Sequence, residues 1–179
     1  MIRTLNLKSR IEALKHSLQI SCKPGCNACC FRRIDISLME AIVLLAELKR
    51  VGKWKEVRKR VKSHPSLTIT MDPDTWASIK TMCPVNDNGR CLGYSSRPVA
   101  CSSRFSSIDP SFCDPHNPES IPTGIMDVTI GFDILQKYLN AHGLTHRVPI
   151  PEALLIAETI YEKEYADIDD VGSAMKGAK

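Results

Sequence analysis

The apolar positions along the chain fall mostly at helical spacing. Leu7, Ile11, Leu14 and Leu18 share one face, predicting a first helix that ends near Ser21, because Pro24 and Gly25 break the pattern. Phe31 to Ile36 reads as a short extended piece. Ser37-Leu-Met-Glu40 then has the form of a capping box. It opens a helix whose buried side is expected to carry Leu38, Ala41, Ile42, Leu45 and Leu48, with Gly52 as its stop. A further helix is predicted over Lys53 to Lys62, with Trp54, Val57 and Val61 as its apolar stripe. Asp72 and Pro73 read as the start of another, carrying Trp76 and Ile79 and delivering Cys83 near its end. Ile125, Val128, Phe132, Leu135 and Leu139 share a face before Gly143. Pro149 and Pro151 then open a last helix, marked by Leu155, Ile156 and Ile160 and running to about Tyr165. Residues 167–179 read as a frayed polar tail.

Two stretches fall outside this pattern. Cys22-Lys-Pro-Gly-Cys26-Asn-Ala-Cys29-Cys30 packs four thiols into one loop. Residues 83–122 form a long segment rich in Pro, Gly, Ser and Asn that holds Cys83, Cys91, Cys101 and Cys113. A loop of that length is unusual inside a compact domain, and metal ligation is one way to fix chain that cannot bury enough apolar surface. The expected fold is therefore a small, mainly α single domain over residues 1–179. Its cysteine region spans 22–115, is flanked by helical segments 1–21 and 116–179, and has two cysteine-rich loops converging on a metal centre.

Composition sharpens this picture. The 179 residues are 43% hydrophobic and only 6% aromatic, so aliphatic side chains must fill most of the core. The net charge of +4 is too mild to imply a nucleic-acid protein. It is unevenly spread. Residues 149–179 carry seven acids and three bases, net −4, leaving +8 for residues 1–148. Lys49 to Lys62 holds eight bases and one acid, Glu56. A solvated helix face, paired in part with the acidic C-terminal region, is the plain reading, and no aromatic platform interleaves the charge to favour nucleic acid. The longest aliphatic run, Ala41 to Ala46, is too short for a bilayer. The first twenty residues lack the apolar core of a signal peptide, so a cytoplasmic location is expected, with no membrane partner. There, eight cysteines favour metal ligation over disulfides.

Sets of thiolates hold zinc or iron–sulfur clusters. The first group reads C-x3-C-x2-C-C. Adjacent side chains such as Cys29 and Cys30 tend to point apart, so they could serve different irons of one cluster, or two metals, or one could stand free. Gly25 permits a tight loop whose peptide N–H groups can donate to sulfur. Eight thiolates exceed the needs of one zinc ion or one [4Fe-4S] cluster. A buried free cysteine is also a common small hydrophobe, an alternative that suits Cys113 better than the clustered thiols.

The arrangement resembles the CxxCxxCC-type, or YkgJ-type, cysteine-cluster family, a zinc- or iron-chelating domain. The resemblance rests on Cys22 to Cys30 followed by Ile36-Ser-Leu-Met-Glu40-Ala41. It continues in Cys83-Pro84, in Asn88-Gly-Arg-Cys91, in Tyr94 and Arg97-Pro98-Val-Ala-Cys101, and in Pro110-Ser-Phe-Cys113. It covers about residues 22–115 and includes all eight of the family's cysteines. Many members have Cys-Arg where this chain has Cys101-Ser102, and Arg104 is the candidate to stand in. Many also have an apolar pair after Cys-Pro, where this chain has Val85-Asn86. The resemblance implies Cys22, Cys26, Cys29, Cys30, Cys83, Cys91, Cys101 and Cys113 as metal ligands. It implies zinc or iron binding, oxidoreductase chemistry being a label often given to members; together with the adjacent Cys29-Cys30 pair and the eight thiolates it leads to the expectation of an iron–sulfur cluster of the [4Fe-4S] type with a redox or maturation role and an unidentified redox or protein partner. The alternative is a structural zinc module that mediates protein interaction through the basic helix, and a third reading is an enzyme with a reactive thiol beside its metal. A related cluster occurs in flagellin lysine methylases, but no glycine-rich nucleotide motif supports methyl transfer here.

Tyr94 and Arg97 lie between two cysteines of the pattern and are candidate cofactor-binding residues. Arg97 could neutralise a thiolate-bound cluster or simply fix the loop through a carboxylate or carbonyl. Pro98 sets the chain direction into Cys101. His116 follows Cys113 by three and could be a further ligand, but surface or capping roles are the expected ones for it, His142 and His146. Ser102, Ser103, Ser106 and Ser107 have no partner pattern for a hydrolase triad. Asp114, Glu119 and Asp127 show no paired-carboxylate spacing.

Overall fold

The computed structural model describes residues 20–22, 25–67, 79–106, 109–119 and 146–164, together with single positions 13, 75, 137 and 140. Helix dominates these residues. The longer helices are α1 (Leu38–Arg50), α2 (Trp54–Lys62) and α4 (Ile150–Glu164), and α3 (Val99–Ser102) is a single turn. One-turn 3₁₀ helices occupy Ala28–Phe31, Pro65–Leu67, Tyr94–Ser96 and Pro110–Cys113. Four two-residue strands form two antiparallel pairs. β1 (Asp35–Ile36) pairs with β4 (Val148–Pro149), and β2 (Asn86–Asp87) pairs with β3 (Arg90–Cys91). The apolar faces predicted for residues 7–18 and 125–139 lie outside the described residues. No helix among the described residues is long and apolar enough to cross a membrane.

α1 is the spine. Its capping box is complete: the Glu40 N–H donates to Ser37 Oγ, and the Ser37 N–H donates to Glu40 Oε2 at 2.9 Å. This satisfies amides that a helix start otherwise leaves unpaired. The helix stops at Arg50, just before Gly52. Its buried positions are Ala41, Leu44, Leu45 and Leu48. Leu38 and Ile42, expected inside, are only partly buried, and Leu44 takes the place of an innermost residue. The reason is that α1 is covered on two flanks. α4 packs along one, and the segment carrying β3 and the Tyr94–Ser96 turn lies against the other.

α4 buries a different face from the one its large aliphatics mark. Ala153, Leu154, Ala157 and Glu158 are inside, while Ile156 is exposed. The small alanines let α4 sit closely on α1, and Glu158 is tolerated because both its oxygens are used. Trp54 Nε1–H donates to Oε1 at 2.8 Å, and Arg58 Nε–H donates to Oε2 at 2.8 Å. A buried carboxylate without such partners would be costly. α2 buries Trp54, Val57 and Val61 as its stripe predicted. Its basic face is partly consumed within the fold, since Arg60 also donates to the Asn86 carbonyl at 2.6 Å and so holds the β2–β3 hairpin.

Two sequence expectations need correction here. Thr75 and Ile79, in the helix expected to carry Cys83, are each helical, but Lys80 is not and takes a φ of +49°. Cys83 therefore lies outside any helix, ahead of a tight hairpin. The described part of segment 83–122 is also less irregular than its composition suggests. Asn88 and Gly89 have φ of +48° and +83°, the left-handed pair that a two-residue hairpin turn requires.

Candidate metal centre

All eight cysteines lie in the described residues and all are unbridged. Cys113 is buried, with 6% of its surface exposed, and the other seven are half-buried. The first loop places two of its four thiols, Cys29 and Cys30, on the 3₁₀ turn Ala28–Phe31. The second region supplies Cys83 and Cys91 from the ends of the hairpin, Cys101 from α3 and Cys113 from the turn Pro110–Cys113.

The two regions touch directly. Cys83 N–H donates to the Cys30 carbonyl at 2.7 Å, and Asn86 Nδ2–H donates to Cys30 Sγ at 3.3 Å. Ser21 N–H donates to the Ser106 carbonyl at 2.8 Å, and Ser106 N–H returns to Cys22 Sγ at 3.3 Å. The turn that carries Cys113 packs against the turn that carries Cys29. α1 holds the other side, because Val99 N–H, at the start of α3, donates to Glu40 Oε1 at 2.8 Å. The residue that caps α1 thus also anchors the turn bearing Cys101.

Cys29 is the electrostatic hub. Its charge is felt at Cys22, Cys83, Cys91, Cys101 and Cys113. A hydrogen bond with Cys30 and then burial hold its own thiol well above the ordinary cysteine range. Burial pushes Cys83 up to about 12, against amide donors at Val85 and Asn86. Burial and then the neighbouring thiolates Cys83, Cys29 and Cys91 raise Cys101 well above its usual value. Cys22, Cys91 and Cys113 are raised chiefly by burial, each opposed by a hydrogen bond from Ser106 or from the Gly93 amide. Without a counter-ion these thiols stay protonated at neutral pH, because desolvation and mutual repulsion penalise the charged form.

The cations are arranged to offset that penalty. Arg104 is half-buried beside Cys101 and Cys29, and burial lowers its own affinity for the proton while those thiolates raise it. Its guanidinium donates to the Arg33 carbonyl at 3.4 Å. Arg97 lies over the Tyr94 ring at 4.4 Å from the centroid, and its charge favours the thiolates of Cys29 and Cys91. Tyr94 is 60% exposed, so it braces Arg97 from the solvent side.

Among the described residues, no group of three or more His, Cys, Asp or Glu side chains stands ready to hold a metal ion. The chemistry of the donor set nonetheless fits a thiophilic centre. It consists of sulfur, supported by amide donors to sulfur and by arginine counter-charge, as thiolate-bound metals require. His116 does not join it in an evident way: its ring meets Phe31 edge-on at 4.9 Å. His146 is exposed, and His142, Ser107 and Asp127 lie outside the described residues. Ser102 and Ser103 donate to the carbonyls of Pro98 and Ala100 and so serve local structure. Sequence reasoning passed over Ser106 and Asn86 as partners of sulfur. The Asn88-Gly89 dipeptide was the signal for the hairpin that presents Asn86, whereas nothing local marks Ser106. Compared with protein-family models, with curated proteins and with solved structures, the chain matches none.

Proposed function

We propose that this is a metal-binding protein whose cysteine-ligated centre is iron–sulfur in character, in line with the resemblance to the YkgJ-type cysteine-cluster family, and that it serves a redox or maturation role. One observation supports the reading: the two cysteine-bearing regions, all eight thiols unbridged, are joined by Cys83 N–H to the Cys30 carbonyl and by donors from Asn86 to Cys30 Sγ and from Ser106 to Cys22 Sγ. Cys22, Cys26, Cys29, Cys30, Cys83, Cys91, Cys101 and Cys113 are the residues that would hold the metal. A bound cluster would supply one-electron chemistry. Arg104 and Arg97 would stabilise its negative charge, Tyr94 would hold Arg97 in position, and Ser106 and Asn86 would donate to sulfur. Such thiols persist in a reducing compartment, so the reading implies a cytoplasmic protein.

The test is metal and acid-labile sulfide analysis, with ultraviolet–visible spectroscopy, on anaerobically purified protein. Iron with sulfide and a broad band near ~400 nm would support the iron–sulfur reading. Stoichiometric zinc with no visible band would replace it with a structural zinc module.

A further inference from the structure

Four arginines gather on one short stretch of chain. Arg32 and Arg33 follow the turn Ala28–Phe31 and lead into β1, and Arg147 directly precedes β4, the strand that pairs with β1. Arg104 comes two residues after α3. Hydrogen bonds tie the group together. Arg33 Nε–H donates to Asp35 Oδ1 at 2.8 Å, the Arg104 guanidinium donates to the Arg33 carbonyl at 3.4 Å, and the Arg147 guanidinium donates to the Asp35 carbonyl. Asp35 is the one carboxylate that these bonds bring in. Two donors are left over. Arg32 Nε and Arg147 Nε are buried and have no hydrogen-bond partner among the described residues. A buried charged donor without an acceptor is costly, and it marks a place where an acceptor belongs. Arg60 also keeps buried nitrogens without a hydrogen bond, but its charge is offset by Glu56 and Asp87. The described residues give Arg32 and Arg147 no such ion pair. The crowding is felt at Arg104: burial first lowers its hold on the proton, and Arg32 and Arg147 add to that against the pull of Cys101 and Cys29. The group is open to solvent on one side, since the Arg33 and Asp35 side chains are 29% and 33% exposed.

We propose that Arg32, Arg104 and Arg147 form a binding site for an oxyanion, with Arg33 and Asp35 at its mouth. This goes beyond the metal-binding reading and does not depend on it. The ligand class is a small dianion rich in oxygen, a phosphate group or a dicarboxylate. Guanidinium N–H groups match such oxygens in pairs, and two negative charges offset the repulsion that Asp35 alone leaves. The orphaned Nε–H groups of Arg32 and Arg147 supply donors that no part of the fold uses. A bound anion would join three segments: the chain leaving Cys30, the chain leaving Cys101 and the approach to α4. Because the unfolded chain has no such arrangement, binding stabilises the fold by mass action.

Thermal unfolding of the anaerobically purified full-length protein, followed by circular dichroism, tests this. Inorganic phosphate and succinate are titrated separately, with ionic strength held constant by sodium chloride. The expected result is a saturable rise in Tm, and the anion that produces it at lower concentration tells a phosphate site from a carboxylate site. Arg32→Gln should weaken the apparent affinity by about tenfold or more, the worth of a hydrogen bond between charged groups. That substitution removes no hydrogen bond of the fold at Nε, so it isolates the ligand. Lys163→Gln, which takes one exposed charge from α4, should leave the affinity unchanged. Arg147→Gln should weaken binding too, and it also lowers Tm without ligand because its bond to the Asp35 carbonyl is lost. If that variant fails to fold, Arg32→Gln decides. A rise in Tm no greater than sodium chloride alone gives overturns the proposal, as does an Arg32→Gln variant that responds like the parent. Neither result bears on the metal-binding reading.

Discussion

Gly93→Ala tests how tightly the cysteine region is built onto the helical core. A Cβ added at Gly93 would stand 2.3 Å from Leu44 Cδ1, 3.7 Å from Leu44 Cγ and 3.9 Å from Leu48 Cδ2. Carbon atoms pack best at about 3.5–4.0 Å, so the first contact must open by more than about 1 Å. The methyl group of Leu44 is the flexible end of a side chain, but Leu44 and Leu48 are 1% and 0% exposed and have little space to yield. Gly93 has a φ of −106°, which alanine adopts without strain, so the effect isolates packing. Overpacking of this kind costs about 1–3 kcal/mol, and the stiffer unfolded chain returns roughly 0.4–1 kcal/mol, for a net loss of about 1–2 kcal/mol. At this chain length that corresponds to a fall in Tm of roughly 2–8 °C. Urea and thermal unfolding followed by circular dichroism would measure it. Leu44→Ala alone should cost about 2–5 kcal/mol, and in the double variant the new methyl should occupy part of the vacated space. The two changes should therefore fall short of additivity by about 1 kcal/mol or more. Gly93→Ala as stable as the parent, or strict additivity, would refute the close approach of the Cys91 strand to α1.

Other outcomes follow from individual contacts. Ser37→Ala removes one half of the capping box and should cost about 1 kcal/mol in urea unfolding. Glu40→Ala should cost more than Ser37→Ala, because Glu40 also accepts from Val99 N–H, and it alone should speed metal release in a chelator assay. Arg50 first, and then Ser95, hold Glu47 down at about 2 against an ordinary 4.5, so its folded-state pKa lies below its unfolded one. Its contribution is complete above pH 4.5 and is lost as the pH falls toward 2; Glu47→Gln should therefore lower stability most at neutral pH, with parent and variant converging in the acid-unfolding profile as the pH approaches 2. Glu158→Ala should cost roughly 1.5–3 kcal/mol through the Trp54 hydrogen bond, with Glu158→Gln recovering part of it in the same unfolding assay. Arg104→Gln should lower metal retention and, if the centre is a cluster, move its reduction potential negative, since a cation beside Cys101 and Cys29 is gone.

Much of the helical frame was legible because its signals are local. The capping box of Ser37 and Glu40 and the stripe of Trp54, Val57 and Val61 are read within one or two turns of chain. The buried face of α4 was not legible. Beside Ile150 and Leu154 its inner residues are alanines and Glu158, and only the approach of α1 and the indole and guanidinium groups of α2 make those small and charged positions interior. The basic run of α2 read as a solvated face paired in part with the acidic C-terminal region, and Arg58 does pair with Glu158 there; the hold of Arg60 on the Asn86 carbonyl had no local signal. At the thiols, the residue types and the two-region pattern were evident from sequence. Which thiols neighbour one another depends on contacts across 50 to 85 residues, such as Asn86 with Cys30 and Ser106 with Cys22, and no local pattern encodes them.

X-ray absorption at the metal edge, on anaerobically purified protein, tests the central claim most directly, because it reads the atoms bound to the metal. A first shell of sulfur alone, at about 2.3 Å, is predicted, with an iron–iron shell if a cluster is present. A shell dominated by oxygen or nitrogen, or a protein that retains no metal at all, would contradict a centre built from these eight cysteines.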